Sequence, residues 1–123
     1  MRNFILSVAL GAGLLAGAVQ GAQADDLGKK TFEQCIACHS LKPGENGVGP
    51  TLHGLIGSTA GAVEGFRFSG PMKRSGIVWD DKNLTDFLRN PQQVVPNTRM
   101  PFSGMSDEAA LKALVGYLET ATK

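Results

Sequence analysis

Residues 40–78 are the part of this chain that most restricts how it can fold. They hold more than half of the chain's 16 glycines and three of its six prolines, and neither helical nor strand periodicity runs through them. A loop of this length is uncommon inside a compact domain. Yet apolar side chains that favour burial recur along it and just beyond it: Leu52, Leu55, Ile56, Phe66, Phe68, Ile77, Val78 and Trp79. These residues argue against disorder and favour a core that something other than the chain supplies.

A cysteine motif directly before this stretch indicates what that core is. Cys35-Ile36-Ala37-Cys38-His39 matches Cys-x-x-Cys-His, the pattern of c-type haem attachment. Thiols three residues apart lie about one helical turn apart, so both can add to the vinyl groups on one edge of a haem. The imidazole of His39 follows at once and can turn under the ring to ligate the iron. A large, flat, apolar haem would also give residues 40–78 a surface to fold around.

Three other readings of the cysteine pair compete with haem attachment. A thioredoxin-like redox pair needs a βαβ context, and no such pattern is visible. A structural zinc site needs about four ligands, but the chain has only two cysteines and one further histidine, His53. A plain disulfide remains open in an exported chain.

Residues 1–24 have the pattern of a secretory signal peptide. Arg2 precedes an uncharged run of apolar and small residues over 4–19, and Ala22-Gln23-Ala24 forms an A-x-A cleavage site. A membrane anchor is the alternative, but the apolar core is short and rich in glycine and alanine. We therefore expect export to the periplasm and a single domain over residues 25–123.

The net charge of that domain does not indicate a nucleic-acid or membrane partner. Arg2 is the only charged residue before position 25, so cleavage leaves 11 of the 12 lysines and arginines against 11 acidic residues. Such a balance gives no reason to expect binding to nucleic acid or to a membrane surface. No later segment is long and apolar enough for stable membrane insertion.

Helical patterns frame the long loop on both sides. We expect helices over residues 25–38, 80–90 and 106–121, with Asp25 or Asp26, Asp80 or Asp81, and Ser106 as their N-caps. Pro91 should end the second helix and open a short turn over 92–95. The apolar positions at helical spacing are Gly28, Phe32 and Cys35 or Ile36, then Leu84, Phe87 and Leu88, then Leu111, Leu114, Val115 and Leu118. Gly28 should let the first helix approach the last, with Phe32 near Leu114 and Tyr117.

A second iron ligand can be sought among the methionines. Met100 lies in a loop between Pro96 and Pro101, where its thioether could ligate iron or merely fill a gap in the core. Met72 and Met105 are the other methionine candidates, and His53 is a weaker one. The turn at Gly49-Pro50 could hold the second ring nitrogen of His39 through a backbone carbonyl, or it could be an ordinary turn.

Taken together, these motifs resemble the small soluble cytochromes c of the mitochondrial and bacterial kind, over residues 27–122. The motifs that carry the resemblance are Gly28…Phe32…Cys35-Ile-Ala-Cys38-His39, Gly49-Pro50-Thr-Leu-His53-Gly54-Leu, Ile77-Val-Trp79, Leu88-Arg-Asn90-Pro91, Thr98-Arg-Met100-Pro-Phe102-Ser-Gly104 and Leu114-Val-Gly-Tyr117-Leu118. The resemblance implies an all-α cytochrome c fold, with three main helices, a short fourth and long loops around one covalent haem c.

The resemblance also implies roles for particular residues. Cys35 and Cys38 would form the thioethers, and His39 and Met100 would be the axial ligands. The Pro50 carbonyl would hold His39. The Trp79 indole would meet a haem propionate, and Phe102 would lie beside the haem edge. The implied function is a monomeric periplasmic carrier, not an enzyme, that shuttles single electrons between redox proteins. The alternative is a haem enzyme or gas sensor in which Met100 is a labile ligand.

Several positions depart from the family's pattern. Phe87 and Phe68 stand where many relatives carry tyrosines that bond the methionine sulfur and a propionate, and Ser58 replaces a propionate-binding arginine. Where relatives often carry a ring of lysines near the haem edge, this chain has mostly Gln34, Gln92, Gln93, Ser106 and Asp107, although Lys30 and Arg99 remain basic. We therefore expect weak electrostatic steering of its partners.

Overall fold

A computed structural model describes residues 11, 13 and 16–123. Over these residues five helices follow one another: α1 (Ala16–Phe32), α2 (Gly70–Arg74), α3 (Asp81–Arg89), α4 (Pro91–Val94) and α5 (Glu108–Ala121). The predicted all-α class is confirmed. In the same residues the β structure is confined to one isolated antiparallel bridge between Thr59 and Val78. No helix in the described part of the chain is long and apolar enough to cross a membrane.

The predicted boundaries of the first helix are wrong at both ends. Helix α1 begins at Ala16, upstream of Asp25 and Asp26, so neither aspartate caps it. The reason is that alanine and glutamine favour helix and extend it through the proposed cleavage site. The α-helix ends at Phe32, and turns follow, in which the amides of Cys38 and His39 both donate to the Cys35 carbonyl at 3.1 and 3.0 Å. The predicted signal peptide falls largely on residues 1–10, 12, 14 and 15, which lie outside the described residues.

Helix α2 is an element that the sequence patterns did not reveal, because Gly70-Pro71 indicated a turn. Ser69 caps it by accepting a hydrogen bond from the amide of Met72, and Pro71 lies in its first turn, where a missing N–H costs nothing. The fold therefore has two short helices besides the three main ones, where one was expected, and Met72 lies in the first of them.

The caps of the later helices are partly as predicted. The Asp80 carboxylate caps α3 by accepting from the amide of Asn83 at 2.7 Å, and α4 begins at Pro91 as expected. Ser106 is not the cap of α5. That position belongs to Asp107, whose carboxylate accepts from the amides of Ala109 and Ala110, both at 3.1 Å. A carboxylate also favours the positive end of a helix dipole, which a hydroxyl does not.

The first and last helices cross at Gly28. A Cβ on Gly28 would overlap the backbone carbonyl of Ala113, so only glycine allows this approach. The rings of Phe32 and Tyr117 pack beside it with centroids 5.4 Å apart. Leu114 of α5 is fully buried there, and the predicted packing of the two helices is confirmed.

The end of the long loop returns to its middle through backbone hydrogen bonds. The amide of Gly57 donates to the Trp79 carbonyl at 2.7 Å, and the amide of Trp79 donates to the Ser58 carbonyl at 2.9 Å. Trp79 is buried, whereas Ile56 and Val78 remain 38% and 46% exposed. The expectation that every apolar residue of this stretch is buried is therefore wrong for these two.

Candidate haem site

The predicted site residues meet at one cavity of about 750 Å³. Cys35, Cys38, His39, Pro50, Trp79, Met100 and Phe102 all line it. Its apolar wall comes from α1, α3, α5 and the long loop, through Phe32, Leu52, Leu55, Phe68, Leu84, Phe87, Leu88, Leu114 and Leu118. Most of the apolar residues in and just after the long loop therefore line this cavity, but Ile56, Ile77 and Val78 do not.

Both cysteines are free, half-buried thiols. Burial raises the pKa of the Cys35 thiol, and the neighbouring Cys38 raises it further. A redox-active pair normally lowers the pKa of its attacking thiol, so this environment disfavours the thioredoxin-like reading. The disulfide reading has no support, since the two sulfurs are not bonded. The zinc reading also lacks support, because no group of three or more potential ligands occurs within the described residues.

The imidazole of His39 is held on two sides by the turn at residues 47–50. Its Nδ1 lies 2.7 Å from the Pro50 carbonyl oxygen. Because a carbonyl only accepts, Nδ1 carries the proton and Nε2 is left as the free ring nitrogen. A Cβ on Gly49 would lie 2.6 Å from Cε1 of the ring, so the ring packs directly on the glycine backbone. Sequence reasoning foresaw the Pro50 carbonyl but missed the role of Gly49.

Two polar side chains, Asn46 and Thr51, brace this turn in roles that no sequence pattern indicates. Asn46 accepts from the amide of Thr51 at 2.9 Å and donates to the Glu64 carbonyl at 3.0 Å, which ties the turn to a distant part of the loop. The buried hydroxyl of Thr51 donates to the Lys42 carbonyl at 2.5 Å. These bonds fix the backbone on either side of Pro50. A single asparagine or threonine in a polar loop has no spacing pattern that would reveal such contacts.

The structure distinguishes the methionine candidates by whether they line the cavity. Met100 is half-buried at the cavity, and Met72 also lines it from α2. Met105 does not line the cavity, and its amide instead donates to the Leu88 carbonyl at 3.0 Å. His53 reaches the cavity wall but is exposed.

Phe87 and Ser58, two of the positions that depart from the family's pattern, also line the cavity. Phe87 packs on Trp79 with ring centroids 5.1 Å apart and offers only hydrocarbon to the cavity. The Ser58 hydroxyl donates to the Leu55 carbonyl at 2.6 Å. The indole N–H of Trp79 donates to no protein acceptor within the described part of the chain.

The donor set and the walls fit a covalently attached haem. Two reduced thiols stand three residues apart, and an imidazole with a free Nε2 follows them. A thioether shares their cavity, whose surface is mainly apolar. Imidazole and thioether are the axial ligand pair of the haem iron in cytochromes c, where the pair raises the reduction potential.

Comparisons with known proteins agree with this chemistry. The profile of the family described as Cytochrome c matches residues 26–122. The chain belongs to the cytochrome c family. It is 45% identical to cytochrome c2 iso-2 of Magnetospirillum molischianum over 89 residues, which cover 72% of this chain and 92% of that protein. It is 40% identical to cytochrome c2 of Blastochloris viridis over 109 residues, 86% of each chain. The structure of cytochrome cH from Methylobacterium extorquens superposes with a TM-score of 0.72 at 41% identity, covering 78% of this chain and 97% of that one.

Membership of this family fixes the cofactor and the broad activity. This cytochrome c binds haem c covalently through cysteines, and Cys35 and Cys38 are the only two in the chain. It is a haem-based electron carrier whose partners are redox proteins. The predicted cofactor and the predicted resemblance are confirmed.

Proposed function

We propose that this cytochrome c is a periplasmic one-electron carrier in which His39 and Met100 are the two axial ligands of the haem iron. The observation that carries the proposal is the orientation of His39. Its Nδ1 is engaged by the Pro50 carbonyl at 2.7 Å, which leaves Nε2 for iron in a cavity that the Met100 thioether shares. Such a hydrogen bond orients a ligating imidazole and raises its basicity. The attached haem supplies a couple that takes up and releases one electron at iron.

The other site residues would hold the cofactor and its surroundings. Cys35 and Cys38 would anchor one edge through thioether bonds. Trp79 is suited to bond a propionate, because its buried ring presents an N–H without a protein acceptor in the described residues. Phe102 lines the same cavity and would shield the haem edge. The mainly apolar wall would keep water from the bound haem, so few solvent dipoles would have to reorient when the iron changes charge.

Two axial ligands leave no open position for a substrate, which favours a carrier over an enzyme. The alternative, a haem enzyme or gas sensor, requires Met100 to leave the iron. One feature favours it: the Phe87 ring at the cavity cannot donate a hydrogen bond to the methionine sulfur. The state of the Met100 ligand therefore decides between the two functions.

Absorption spectra of the holoprotein test the ligation. We expect the ferric wild type to be low-spin, with the weak near-infrared band of an iron–sulfur bond. Met100→Ala should abolish that band, whereas Met72→Leu should keep it, because Met72 shares the cavity without ligating in this proposal. A high-spin wild type would contradict the proposal and favour the enzyme or sensor. A band that survives Met100→Ala would also contradict it, because the sulfur ligand would then be another methionine, such as Met72.

Cell fractionation and mass spectrometry test the location. The side chains of residues 21–27, around the proposed cleavage site, are all exposed, so cleavage after Ala24 removes no buried side chain among them. We expect the holoprotein in the periplasm with the mass of residues 25–123 plus one haem. Ala24→Arg should block processing, because the cleavage site requires a small residue. Full-length protein in the membrane fraction of the wild type would instead indicate an anchor.

A further inference from the structure

The backbone just before Met100 adopts a turn with one unfavourable residue. The amide of Thr98 donates to the Val95 carbonyl at 3.0 Å, with Pro96 and Asn97 as the central residues. Asn97 has φ 66°, and it is the one non-glycine residue with positive φ in the described part of the chain. This is the pattern of a type II turn, which places proline second and needs positive φ at the third position. Asparagine tolerates that conformation better than most residues but still at some cost.

The side chain of Gln92 bonds to this turn at two points. Its Oε1 accepts from the amide of Asn97 at 2.9 Å, and its Nε2 donates to the Thr98 carbonyl at 3.1 Å. Only one orientation of the amide group satisfies both bonds, since the oxygen cannot donate and the nitrogen cannot accept. We call this pair of bonds the Gln92 clasp. It joins α4 to the strained residue and to the carbonyl two positions before Met100.

Few other bonds hold the chain on this side of Met100. Beyond the Val95–Thr98 turn, the clasp supplies the only hydrogen bonds to residues 97–99 among those described. The segment after Met100 has separate anchors, because the amide of Phe102 donates to the Met100 carbonyl at 2.9 Å and that of Met105 donates to Leu88. Loss of the clasp would therefore loosen one side of the methionine and leave the other side in place.

We propose that Gln92 is a positioning residue that keeps the Met100 thioether on the iron by fixing the preceding turn. This inference rests on the proposed ligation by Met100. Gln92 itself is exposed and touches the cavity nowhere, so it acts only through the backbone of Asn97 and Thr98. The expected consequence is that an external ligand competes with Met100 more successfully when the clasp is broken.

Three variants separate this role from general stability. Gln92→Ala removes both bonds, and Gln92→Glu keeps the acceptor for Asn97 but loses the donor to Thr98. Gln93→Ala is the matched control, because Gln93 is the next exposed residue of α4 and its side chain makes no hydrogen bond within the described residues. None of these changes removes a buried side chain, so each holoprotein should fold.

Two measurements on the holoprotein report the clasp. The first is the affinity of the ferric form for imidazole, which must displace the sixth ligand to bind. We expect it to rise about tenfold in Gln92→Ala, the effect of losing one to two typical hydrogen bonds. It should rise less in Gln92→Glu and stay unchanged in Gln93→Ala. The second is amide hydrogen exchange at Asn97, which should speed up in Gln92→Ala and much less in Gln92→Glu.

The possible outcomes distinguish the two proposals. A wild type with the iron–sulfur band, and with the same imidazole affinity in Gln92→Ala, would overturn the role of Gln92 alone. A lower melting temperature with unchanged imidazole affinity would also overturn it, since Gln92 would then be merely structural. A wild type without the band would refute ligation by Met100 and the positioning role with it. Tighter imidazole binding confined to the Gln92 variants supports the inference.

Discussion

At the scale of single residues, His39 is positioned by backbone groups more than by side chains. The Gly47 amide donates to the Gly49 carbonyl at 2.9 Å, and the Gly49 amide donates to the Cys38 carbonyl at 2.7 Å. These bonds place the Pro50 carbonyl beside Nδ1 of the imidazole. The path of the backbone therefore sets the orientation of His39, and any side chain at Gly49 would clash with its ring.

We predict that Gly49→Ala disturbs the site through steric contact with His39. The new Cβ would lie 2.6 Å from Cε1, 2.8 Å from Nδ1 and 3.0 Å from Nε2 of the ring. The ring must shift, which weakens its bond to Pro50. We expect the free energy of unfolding to fall by about 1–3 kcal/mol, as for other overpacked sites. Denaturant unfolding of the holoprotein, followed by haem absorbance, measures this loss.

Gly47→Ala is the control for this prediction. Gly47 lies in the same turn, but a Cβ there would meet nothing closer than the Cys38 carbonyl at 3.7 Å. Neither glycine has positive φ, so backbone strain does not separate the two variants. We expect Gly47→Ala to change the free energy of unfolding by less than about 0.5 kcal/mol. Equal losses in both variants would mean that the contact with His39 is not the cause.

The residues that sequence analysis found and missed differ in kind. Cys35, Cys38 and His39 were predicted because their chemistry needs fixed spacing. Met100, a ligand only in our proposal, was predicted because prolines flank it. The roles of Asn46, Gly49 and Gln92 were missed because each depends on contacts that no spacing pattern in the sequence reveals. Asn46 reaches Glu64, for example, 18 residues further on. No local pattern encodes such a contact.

At the scale of elements, α3 and α5 bring opposite charges together at one end and like charges together at the other. Arg89 donates from Nε and Nη2 to the two oxygens of Glu108, at 2.8 and 3.0 Å, which lowers the pKa of Glu108. At the other end, Glu119 lies close enough to Asp81 for the two carboxyl groups to interact. Hydrogen bonding to Asp81 raises the pKa of Glu119, with burial and the charge of Asp81 adding to the shift. The first contact is exposed and should contribute little.

We predict that Glu119→Gln stabilises the fold at neutral pH. A carboxyl whose pKa is raised by folding stabilises the native state below its unfolded pKa, and this contribution is lost as the pH rises through the folded pKa. Above that value two charged carboxylates repel each other, whereas an amide can donate to Asp81. We expect the melting temperature at pH 7 to rise by about 2 °C, a size typical of exposed charge pairs. Scanning calorimetry of the holoprotein measures it.

The pH dependence of this gain is its critical feature. The gain should shrink as the pH falls through the raised pKa of Glu119 and should be lost below the ordinary pKa of glutamate, because Glu119 is then protonated in both the folded and the unfolded wild type. Glu33→Gln is the control, since Glu33 is exposed and makes no side-chain hydrogen bond or ion pair in the described residues. A gain of the same size at low and neutral pH, or in both variants, would exclude the Asp81 contact as its origin.

Helix boundaries were harder to predict than helix positions. The core faces of α3 and α5 followed from apolar spacing, and Gly28 indicated where α1 meets α5. The start of α1 was wrong because helix-favouring residues extend it upstream to Ala16. The cap of α5 was wrong because the adjacent residues Ser106 and Asp107 both suit that position. Helix α2 was missed because five residues are too few for a periodic pattern. Packing selects among such local alternatives, and the sequence around each boundary does not encode that choice.

At the scale of the whole molecule, the chain encloses its cofactor with loops and presents a nearly neutral surface. The long loop supplies Leu52, Leu55 and Phe68 to the cavity wall, so the haem takes the place of a protein core. The glutamines on α4, Gln92 and Gln93, are exposed. With residues 1–24 removed, 11 basic side chains balance 11 acidic ones. The outer surface therefore offers little net field to attract a charged partner.

We predict that electron transfer from the ferrous protein to hexacyanoferrate(III), an anionic oxidant, depends only weakly on salt. The rate constant should change less than about threefold between about 0.01 and about 0.5 M salt. Salt acts by screening electrostatic attraction, and a surface with little net field has little attraction to screen. Gln93→Lys should raise the rate at low salt and steepen its fall, since it adds a cation to an exposed helix. Stopped-flow kinetics measures both proteins. A more than tenfold fall in the wild type would mean that Lys30, Arg99 and their neighbours create a local positive field despite the balanced total charge, and steering would then operate in this cytochrome c.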